Sequence, residues 1–476
     1  MNYSPYQLAF FQALRDTTKN IILDAKAGSG KTSTIIAALK EVYSPMDQIC
    51  LIAFNKHIAE ELQARSPANV KCTTMHALGN SILQRYQRRK VTAWKTSNIL
   101  RELTSEEVYL RTRNWIARMV SLAKNYNLSV LTEENFNFLM DHHDIDDLKT
   151  EGVSLFLLCQ QVLDKNNSWP EIDFDDMIYL PIQMNMEFPH FDVVMNDEVQ
   201  DYNNLQMAFT TRLAAQGARV IAVGDPNQAI YGFRGANPEM MADMQEAFDA
   251  TVMPLPVSYR CGQAIIREAQ KIVPGILPWD QSPEGEVRYI RADKLTTTVS
   301  EGDYILCRCT APLVSTCLSL WRDHRRASVK GKDLGEDLIK LVKKATEKED
   351  IGEVVTELDT WWVKQRGIWA KQNKDQRIAD YEDRIECILT IAETVSTKTE
   401  LFSVINKLFE DSNDKGKIML STVHRAKGLE TDNVFIIRPD LMPHPNAKMQ
   451  WAIVQENNLK YVAITRAKKI LTWVSK

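Results

Sequence analysis

The chain has 476 residues, of which 44% are hydrophobic and 25% charged, and its formal net charge is −4 at pH 7. These proportions are those of an ordinary globular protein. The length suggests about three domains, or two cores with insertions. The negative net charge excludes a uniformly basic coat, so any nucleic acid would have to bind in a local groove.

The cysteines and the apolar runs indicate the cellular compartment of the protein. The eight cysteines are scattered, and the only close pair, Cys307 and Cys309, alternates within a strand-like run. That spacing is not typical of a metal site, so we expect reduced thiols and a cytoplasmic location. The N-terminus lacks the order of a signal peptide, and no apolar run approaches the roughly 18 residues of a membrane span, which predicts a soluble protein without a membrane partner.

Strand-like and helix-like segments alternate along most of the chain. A helix is predicted at 5–16, and strands are predicted at Ile21–Leu23 and Ile49–Phe54, each followed by a helix. This alternation predicts an α/β fold with parallel sheets, whose ligands gather at the carboxyl ends of the strands. Two stretches with helical spacing interrupt it. The predicted domains are a first core at 1–87 and 171–250 with a helical insertion at 88–170, and a second core at 251–335 and 411–476 with a small helical insertion at 336–410.

The segment Leu23–Leu39 (LDAKAGSGKTSTIIAAL) joins a strand, a turn of small residues and a helix. Backbone N–H groups of such a turn surround phosphate oxygens, and the helix start adds the positive end of its dipole. Lys31 is predicted to reach the β- and γ-phosphates of ATP, and the Thr32 hydroxyl to bind Mg²⁺. The alternative is a glycine-rich turn without a ligand. The predicted nucleotide-binding residues here are Ala25, which replaces the usual first glycine, Lys26, Ala27, Gly28, Ser29, Gly30, Lys31, Thr32 and Ser33.

A second apolar strand ends in carboxylates in the segment Asp192–Asp201 (DVVMNDEVQD). Neighbouring carboxylates at a strand end suit one metal ligand and one proton acceptor. We assign Asp197 to Mg²⁺ and Glu198 to orienting and deprotonating the attacking water. The alternative is an acidic helix start that the helix dipole favours.

The segment Val220–Ala236 (VIAVGDPNQAIYGFRGA) has the same strand-then-turn form. The amide of Gln228 is suited to sense the γ-phosphate or its water. Tyr231, Phe233 and Arg234 alternate aromatic rings with a cation, a pattern that favours stacking against the bases of a single strand. Loop packing is the alternative for these aromatic residues.

Two arginines of the predicted second core lie near strand or helix ends. Arg260 follows a strand in SYRC, and Arg466 lies in ITRAK. Arginines supplied across a cleft can neutralise charge on a transferred phosphoryl group. The alternative is that both are surface residues.

Together these motifs resemble the UvrD/Rep-like branch of the superfamily 1 helicases. The resemblance runs from Tyr3 to Lys469 in family order and spacing, and only the two insertions lack signatures. It implies two RecA-like motor cores with ATP between them. It also implies an ATP-dependent DNA helicase that uses Mg²⁺, moves 3′ to 5′ on single-stranded DNA and unwinds duplex in replication, repair or recombination.

The resemblance also assigns roles to individual residues. Gln7 in SPYQ would read the adenine edge. The other implied nucleotide contacts are Tyr259 stacking on adenine, Arg260 on the γ-phosphate, Gly428, Glu430 and the trigger arginine Arg466. Contacts to the DNA strand are implied for Phe54 and Asn55 in AFNK, Thr74 and His76 in TTMHALG, Tyr231, Phe233 and Arg234, and Thr422 and His424 in STVHRAKGLE.

Three departures and two alternatives accompany this interpretation. AFNK is one residue shorter than the common AFTNK, Phe233 replaces a common Trp, and the second insertion is much smaller than in the large family members. We expect a functional monomer on single-stranded DNA and single-/double-strand junctions, with possible replication or recombination proteins as partners, and neither a partner-binding tail nor a nuclease domain. The alternatives are a translocase that strips proteins from DNA and a non-motor ATP switch, which the intact carboxylate and trigger arginine disfavour.

Overall fold

The structure is a computed structural model. It describes residues 3–143, 145, 148, 150, 152–232, 236–372, 374–410 and 416–475. The chain divides into two compact units, one made of residues 1–26 and 30–256 and the other of residues 27–29 and 257–476.

The first unit is built on a parallel sheet of six strands in the order β3-β2-β6-β7-β1-β8. Its inner strands are almost entirely buried, because helices cover both faces of a parallel sheet. Two further strands, β4 and β5, pair parallel to each other. The strands of this unit are β1 Ile21–Ala25, β2 Ile49–Ala53, β3 Val70–Thr74, β4 Lys90–Val91, β5 Glu171–Ile172, β6 Val193–Asn196, β7 Arg219–Gly224 and β8 Thr251–Leu255.

The helices of the first unit divide between the sheet and the predicted insertion. The insertion helices α5 to α8 have an apolar core of their own, which runs from Ile99 to Leu163. The helices are α1 Pro5–Asp16, α2 Lys31–Glu41, α3 Lys56–Arg65, α4 Met75–Tyr86, α5 Lys95–Leu103, α6 Glu106–Asn125, α7 Glu133–His142, α8 Leu155–Asn166, α9 Asp176–Gln183, α10 Asn204–Ala214 and α11 Met240–Ala247.

The second unit is built on another parallel sheet, in the order β11-β16-β15-β12-β14-β13. The strands of the unit are β9 Val257–Ser258, β10 Leu277–Pro278, β11 Glu286–Arg291, β12 Tyr304–Cys307, β13 Ala327–Val329, β14 Ile418–Thr422, β15 Thr431–Ile437 and β16 Ala467–Ser475. The two parallel sheets confirm the predicted α/β class with two RecA-like cores.

The helices of the second unit share one apolar core with its sheet. That core contains Ile305 of β12 together with Leu358 and Ile388 of the insertion helices. The second insertion is therefore packed into its unit rather than separated by a core of its own. The helices are α12 Gln263–Gln270, α13 Leu295–Thr298, α14 Ala311–Arg322, α15 Lys332–Ala345, α16 Ile351–Lys371, α17 Asp375–Ala392, α18 Lys398–Leu408 and α19 Gln450–Ile464.

Two details differ from the sequence expectations. β8 pairs with β1 in the first sheet, and the change of unit falls after Pro256, not at the predicted 250/251 boundary. The composition of an apolar edge strand next to a domain boundary is compatible with either core. Only the pairing of the strand shows to which unit it belongs. β12 ends at Cys307, which leaves Cys309 beyond the strand. No helix in the described part of the chain combines the length and apolar character that crossing a bilayer requires.

Candidate functional site

The phosphate loop follows β1 and leads directly into α2. Gly28 and Gly30 have φ values of 72° and 77°, a left-handed conformation that glycine adopts without strain. Gly30 begins α2 without a side-chain cap, which leaves the first-turn N–H groups available to an anion. Ala25 is the last residue of β1 and extended, so this position needs no glycine.

The Ser29 side chain gives independent support for a ligand at this loop. Its hydroxyl is buried and has no hydrogen-bond partner in the part of the chain that the structure describes. A buried polar atom without a partner is costly, and a phosphate oxygen would supply that partner. The loop residues therefore fit a bound nucleotide phosphate. Beside them, Thr32 is half-buried and Ser33 exposed in the first turn of α2.

Lys31 and Glu198 are 167 positions apart in the sequence and meet in the first unit. The Lys31 Nζ atom lies 2.7 Å from the Glu198 Oε1 atom. Burial by itself would lower the pKa of Lys31, but Glu198, Asp197 and Asp225 outweigh it and raise that pKa. Lys31 therefore stays charged, as a phosphate ligand must.

The backbone and a neighbouring amide hold Glu198 in place. Glu198 has φ 55° and ψ 39°, so it turns sharply where β6 gives way to a short 3₁₀ turn, Val199–Asp201. The Gln200 side-chain amide donates to Glu198 Oε2, and Gln200 Oε1 accepts from the Asp225 N–H at 3.1 Å. Gln200 thus connects the carboxylate at the end of β6 with the turn after β7.

Asp197 is buried beside this pair. Burial, reinforced by Glu198, raises the pKa of Asp197 to about 7, although Lys31 opposes the rise. One carboxylate oxygen accepts the Glu198 N–H at 3.0 Å, and the other accepts no hydrogen bond among the described residues. A buried carboxylate with an open oxygen fits a hard cation, so Asp197 and Thr32 suit Mg²⁺.

Gln228 is held by Asp225, a residue that the sequence interpretation did not select. Gln228 Nε2 donates to Asp225 Oδ2 at 2.8 Å, and Lys26 Nζ lies 3.8 Å from Asp225 Oδ1. Lys26 also pairs with Asp24 at 2.8 Å. Burial raises the pKa of Asp225, while Lys26 and Gln228 oppose that rise. The turn after β7 is therefore bound to the phosphate loop by charge as well as by the sheet.

Gln7 has a clear local role in α1. Its side-chain oxygen accepts the Ser4 N–H at 2.9 Å in a capping box, and its Nε2 donates to Thr34 Oγ1 at 2.8 Å. These bonds fix Gln7 against α2. Its contact with adenine stays a prediction.

Several residues that are predicted to contact the DNA strand lie at the ends of neighbouring β-strands of the first sheet. Phe54 follows β2 and is 54% exposed, whereas Thr74 ends β3 opposite Ala53. The side chains of Asn55 and Thr74 cap α3 and α4. Half-buried His76 has its pKa lowered by burial, so its ring is mainly neutral at pH 7. Tyr231 is half-buried, and Phe233 and Arg234 lie outside the described residues.

In the second unit, three predicted nucleotide residues come together. Arg260 Nε lies 2.5 Å from Glu430 Oε2, and Lys468 Nζ lies 2.9 Å from Glu430 Oε1. Arg466 is only 1% exposed, and its guanidinium donates to the carbonyls of Val462 and Leu429 at 3.0 and 3.1 Å. Burial, with Arg260 nearby, lowers the pKa of Arg466 to about 10, so it remains charged at pH 7.

The other predicted site residues of this unit are Tyr259, Gly428, Thr422 and His424. The rings of Tyr259 and Trp279 lie with centroids 5.6 Å apart. Gly428 is exposed with φ 86° and open space around it. Thr422 ends β14, and with His424 it lines a cavity of about 210 Å³. The roles of all these residues stay predictions.

Sequence reasoning missed the residues that connect or support the selected ones. Gln200 and Asp225 are examples, because Gln200 accepts the Asp225 N–H and Asp225 lies near Lys26, contacts between residues far apart in the sequence. Both lay inside quoted segments, DEVQD and Val220–Ala236, where the amide and the carboxylate could have been noted.

Comparison with protein families decides the classification. Residues 8–249 match the UvrD/REP helicase N-terminal domain, and residues 417–474 match the UvrD-like helicase C-terminal domain. The chain belongs to the UvrD/REP helicase family. The phosphate loop, Asp197–Glu198 and Gln228 all lie inside the first matched region.

Individual relatives agree with this family. The chain is 24% identical to F-box DNA helicase protein 1 of Schizosaccharomyces pombe over 94% of its own length and 54% of the relative's. It is 24% identical to F-box DNA helicase 1 of Gallus gallus over 94% and 46%, and 26% identical to the ATP-dependent DNA helicase PcrA of Leuconostoc citreum over 62% and 43%. The chain thus spans about half the length of these curated relatives.

Proposed function

We propose that this chain is an ATP-dependent DNA helicase that translocates on single-stranded DNA, 3′ to 5′, and unwinds duplex at single-/double-strand junctions. The observation that carries the proposal is the Lys31–Glu198 contact of 2.7 Å beside buried Asp197 at the carboxyl end of a parallel sheet. A cation, a proton acceptor and a metal-type carboxylate at one place are the parts that phosphoryl transfer to water requires.

Each of these residues has a defined task in hydrolysis. Lys31 and the α2 amides bind the phosphates, and Glu198 orients a water and accepts its proton. Gln200 keeps Glu198 in position through the hydrogen bond between their side chains. Mg²⁺, when bound, would be held by Thr32 and Asp197 and would offset the negative charge of the phosphates.

The residues of the second unit would make turnover depend on the bound nucleotide and strand. Arg260 and Arg466 are proposed to respond to the γ-phosphate, and Thr422 and His424 to grip the strand. Only a nucleoside triphosphate carries a γ-phosphate. Loss of the γ-phosphate on hydrolysis would therefore change the relative free energies of the conformations that hold and release the DNA strand. Stacking on Phe54 and Tyr231 tolerates any base, so we expect weak sequence preference.

Two assays with the full chain test this proposal. ATP hydrolysis is first measured with and without single-stranded DNA, and stimulation by DNA is expected. Strand displacement is then measured on 3′- and 5′-tailed duplexes, with unwinding expected for the 3′ tail alone. Lys31→Ala is the negative control in both assays. ATP hydrolysis without any DNA stimulation would instead favour a non-motor switch, and stimulated hydrolysis that displaces bound protein but no strand would favour a protein-stripping translocase.

A further inference from the structure

The cavity beside Thr422 and His424 is lined partly by the second insertion. Arg308 and Thr310 line it from the segment between β12 and α14, and Asp383 and Arg384 line it from α17. The side chains that meet here include hydroxyl, imidazole and guanidinium groups, which are typical donors to the sugar–phosphate backbone, and they lie beside the carboxylates of Asp380 and Asp383. An insertion helix therefore forms one wall of the predicted strand site.

Asp383 fastens α17 to this position. Its carboxylate accepts the N–H groups of Thr310 at 2.8 and 2.9 Å and of Ala311 at 2.8 Å. These donors form the start of α14, so the helix dipole and the N–H groups compensate the negative charge of Asp383. The carboxylate acts as an anchor that fixes the next residue, Arg384, beside the cavity.

Arg384 differs from Arg308 in this cavity, because no carboxylate in the part of the chain that the structure describes lies within ion-pair distance of its guanidinium. Its guanidinium carbon lies 5.2 Å from the centroid of the Tyr381 ring, and among the described residues it forms no ion pair and no hydrogen bond. Arg308, by contrast, donates through Nε to both oxygens of Glu456, at 2.8 and 3.1 Å. A guanidinium that stacks on a ring by its face keeps its N–H edge available for a ligand.

We propose that Arg384 binds a phosphate of the DNA strand next to Thr422 and His424, and that Tyr381 and Asp383 are positioning residues for it. This inference rests on the proposed function and gives the second insertion a place in the strand site. The planar guanidinium suits a phosphate, which it can bind through two N–H groups at once.

The test compares Arg384→Gln with Arg377→Gln in the full chain. Arg377 lies on the same helix and stacks over Trp369 at 4.6 Å and Tyr381 at 5.8 Å, but it does not line the cavity. Binding of a fluorescent oligothymidylate is measured at several salt concentrations. Arg384→Gln is expected to weaken binding about tenfold and to lower the salt dependence, as the slope of log K against log salt, by about 0.7. Arg377→Gln should stay within about twofold of the parent and keep the parental slope.

Tyr381 supplies the second comparison. Tyr381→Phe keeps the aromatic face, and binding should be unchanged, whereas Tyr381→Leu removes it and should weaken binding several-fold. Thermal unfolding confirms that each variant is folded, and Arg384→Lys, which keeps the charge but loses the planar fork, replaces the glutamine variant if that one does not fold. Equal losses for Arg384→Gln and Arg377→Gln, or no loss for either, would overturn the inference. A parent that binds no single-stranded DNA would reject the proposed function itself, which is a different result.

Discussion

The Lys31 ammonium and the Glu198 carboxylate are in direct contact, with 2.7 Å between Nζ and Oε1. Glu198 is the largest contribution that raises the pKa of Lys31 against the effect of burial. Lys31 therefore depends on Glu198 to keep its charge while it is buried. Substitution of Lys31 and substitution of Glu198 should therefore affect ATP hydrolysis in different ways.

Replacing Lys31 with alanine should reduce ATP turnover by at least about 100-fold, because the phosphate loses a positioned cation. Lys40→Ala is the matched control, since Lys40 is exposed near the end of the same helix. Steady-state phosphate release measures both variants. Turnover by Lys31→Ala at the level of the Lys40 variant would contradict the assignment.

Replacing Glu198 with glutamine should leave nucleotide binding nearly intact and reduce hydrolysis by about 10² to 10⁴, the usual contribution of a general base. The amide keeps the shape of the side chain but cannot accept the proton of water. Binding is measured by titration with a fluorescent ATP analogue, and hydrolysis by single turnover. A parallel fall in both quantities would indicate a structural role for Glu198.

Gly224 should be needed to keep Gln200 in place. A Cβ atom at Gly224 would lie 2.5 Å from Gln200 Oε1, the oxygen that accepts the Asp225 N–H. Gly224→Ala should therefore move Gln200, release Glu198 and lower kcat, while Gly367→Ala, with open space in α16, should be neutral or stabilise by about 0.5–1 kcal/mol. Kinetics and thermal unfolding of both variants test this expectation. Normal kcat in a folded Gly224→Ala protein would exclude the positioning role.

Lys124 should be essential to the stability of the first unit. Its Nζ is buried, 2.7 Å from Asp173 and 2.8 Å from Asp176, and Asp176 also pairs with buried Lys95 at 2.6 Å. Lys124→Met should lower the free energy of unfolding by about 3–5 kcal/mol, because it removes the cation paired with Asp173 and one of the two cations paired with buried Asp176. Lys165→Met breaks only the exposed pair with Glu102 and should change it by about 0–1 kcal/mol. Denaturant unfolding distinguishes the two, and equal effects would contradict the explanation.

Lys95 should make the free energy of unfolding change with pH in the alkaline range. Burial lowers the pKa of Lys95 to about 8, compared with the usual 10.5 of an exposed lysine. Between these values the unfolded chain holds the proton and the native protein has lost it, so the Lys95 contribution to stability rises with pH over this window. The free energy of unfolding of the parent minus that of Lys95→Met should therefore increase from pH 8 to 10.5. A difference that is flat or falls over this range would show that Lys95 stays charged in the native state.

The sequence alone determined the parts of this protein that are local in the chain. Glycines and Lys-Thr between a strand and a helix specify the phosphate loop, because the turn and its amides are made by consecutive residues. The alternation of apolar runs likewise predicted two parallel sheets. The motif order led to the family that the matched regions at 8–249 and 417–474 establish.

Only the tertiary structure decided which side chains are partners. The pairing of β8 with β1, the bridge from Glu198 through Gln200 to Asp225, and the anchoring of α17 by Asp383 join segments that local spacing does not relate. The burial of Arg466 against carbonyls of its own unit was equally invisible in the sequence. Parallel strands bring distant carboxyl ends together, and which polar groups then meet depends on the packing of the whole unit.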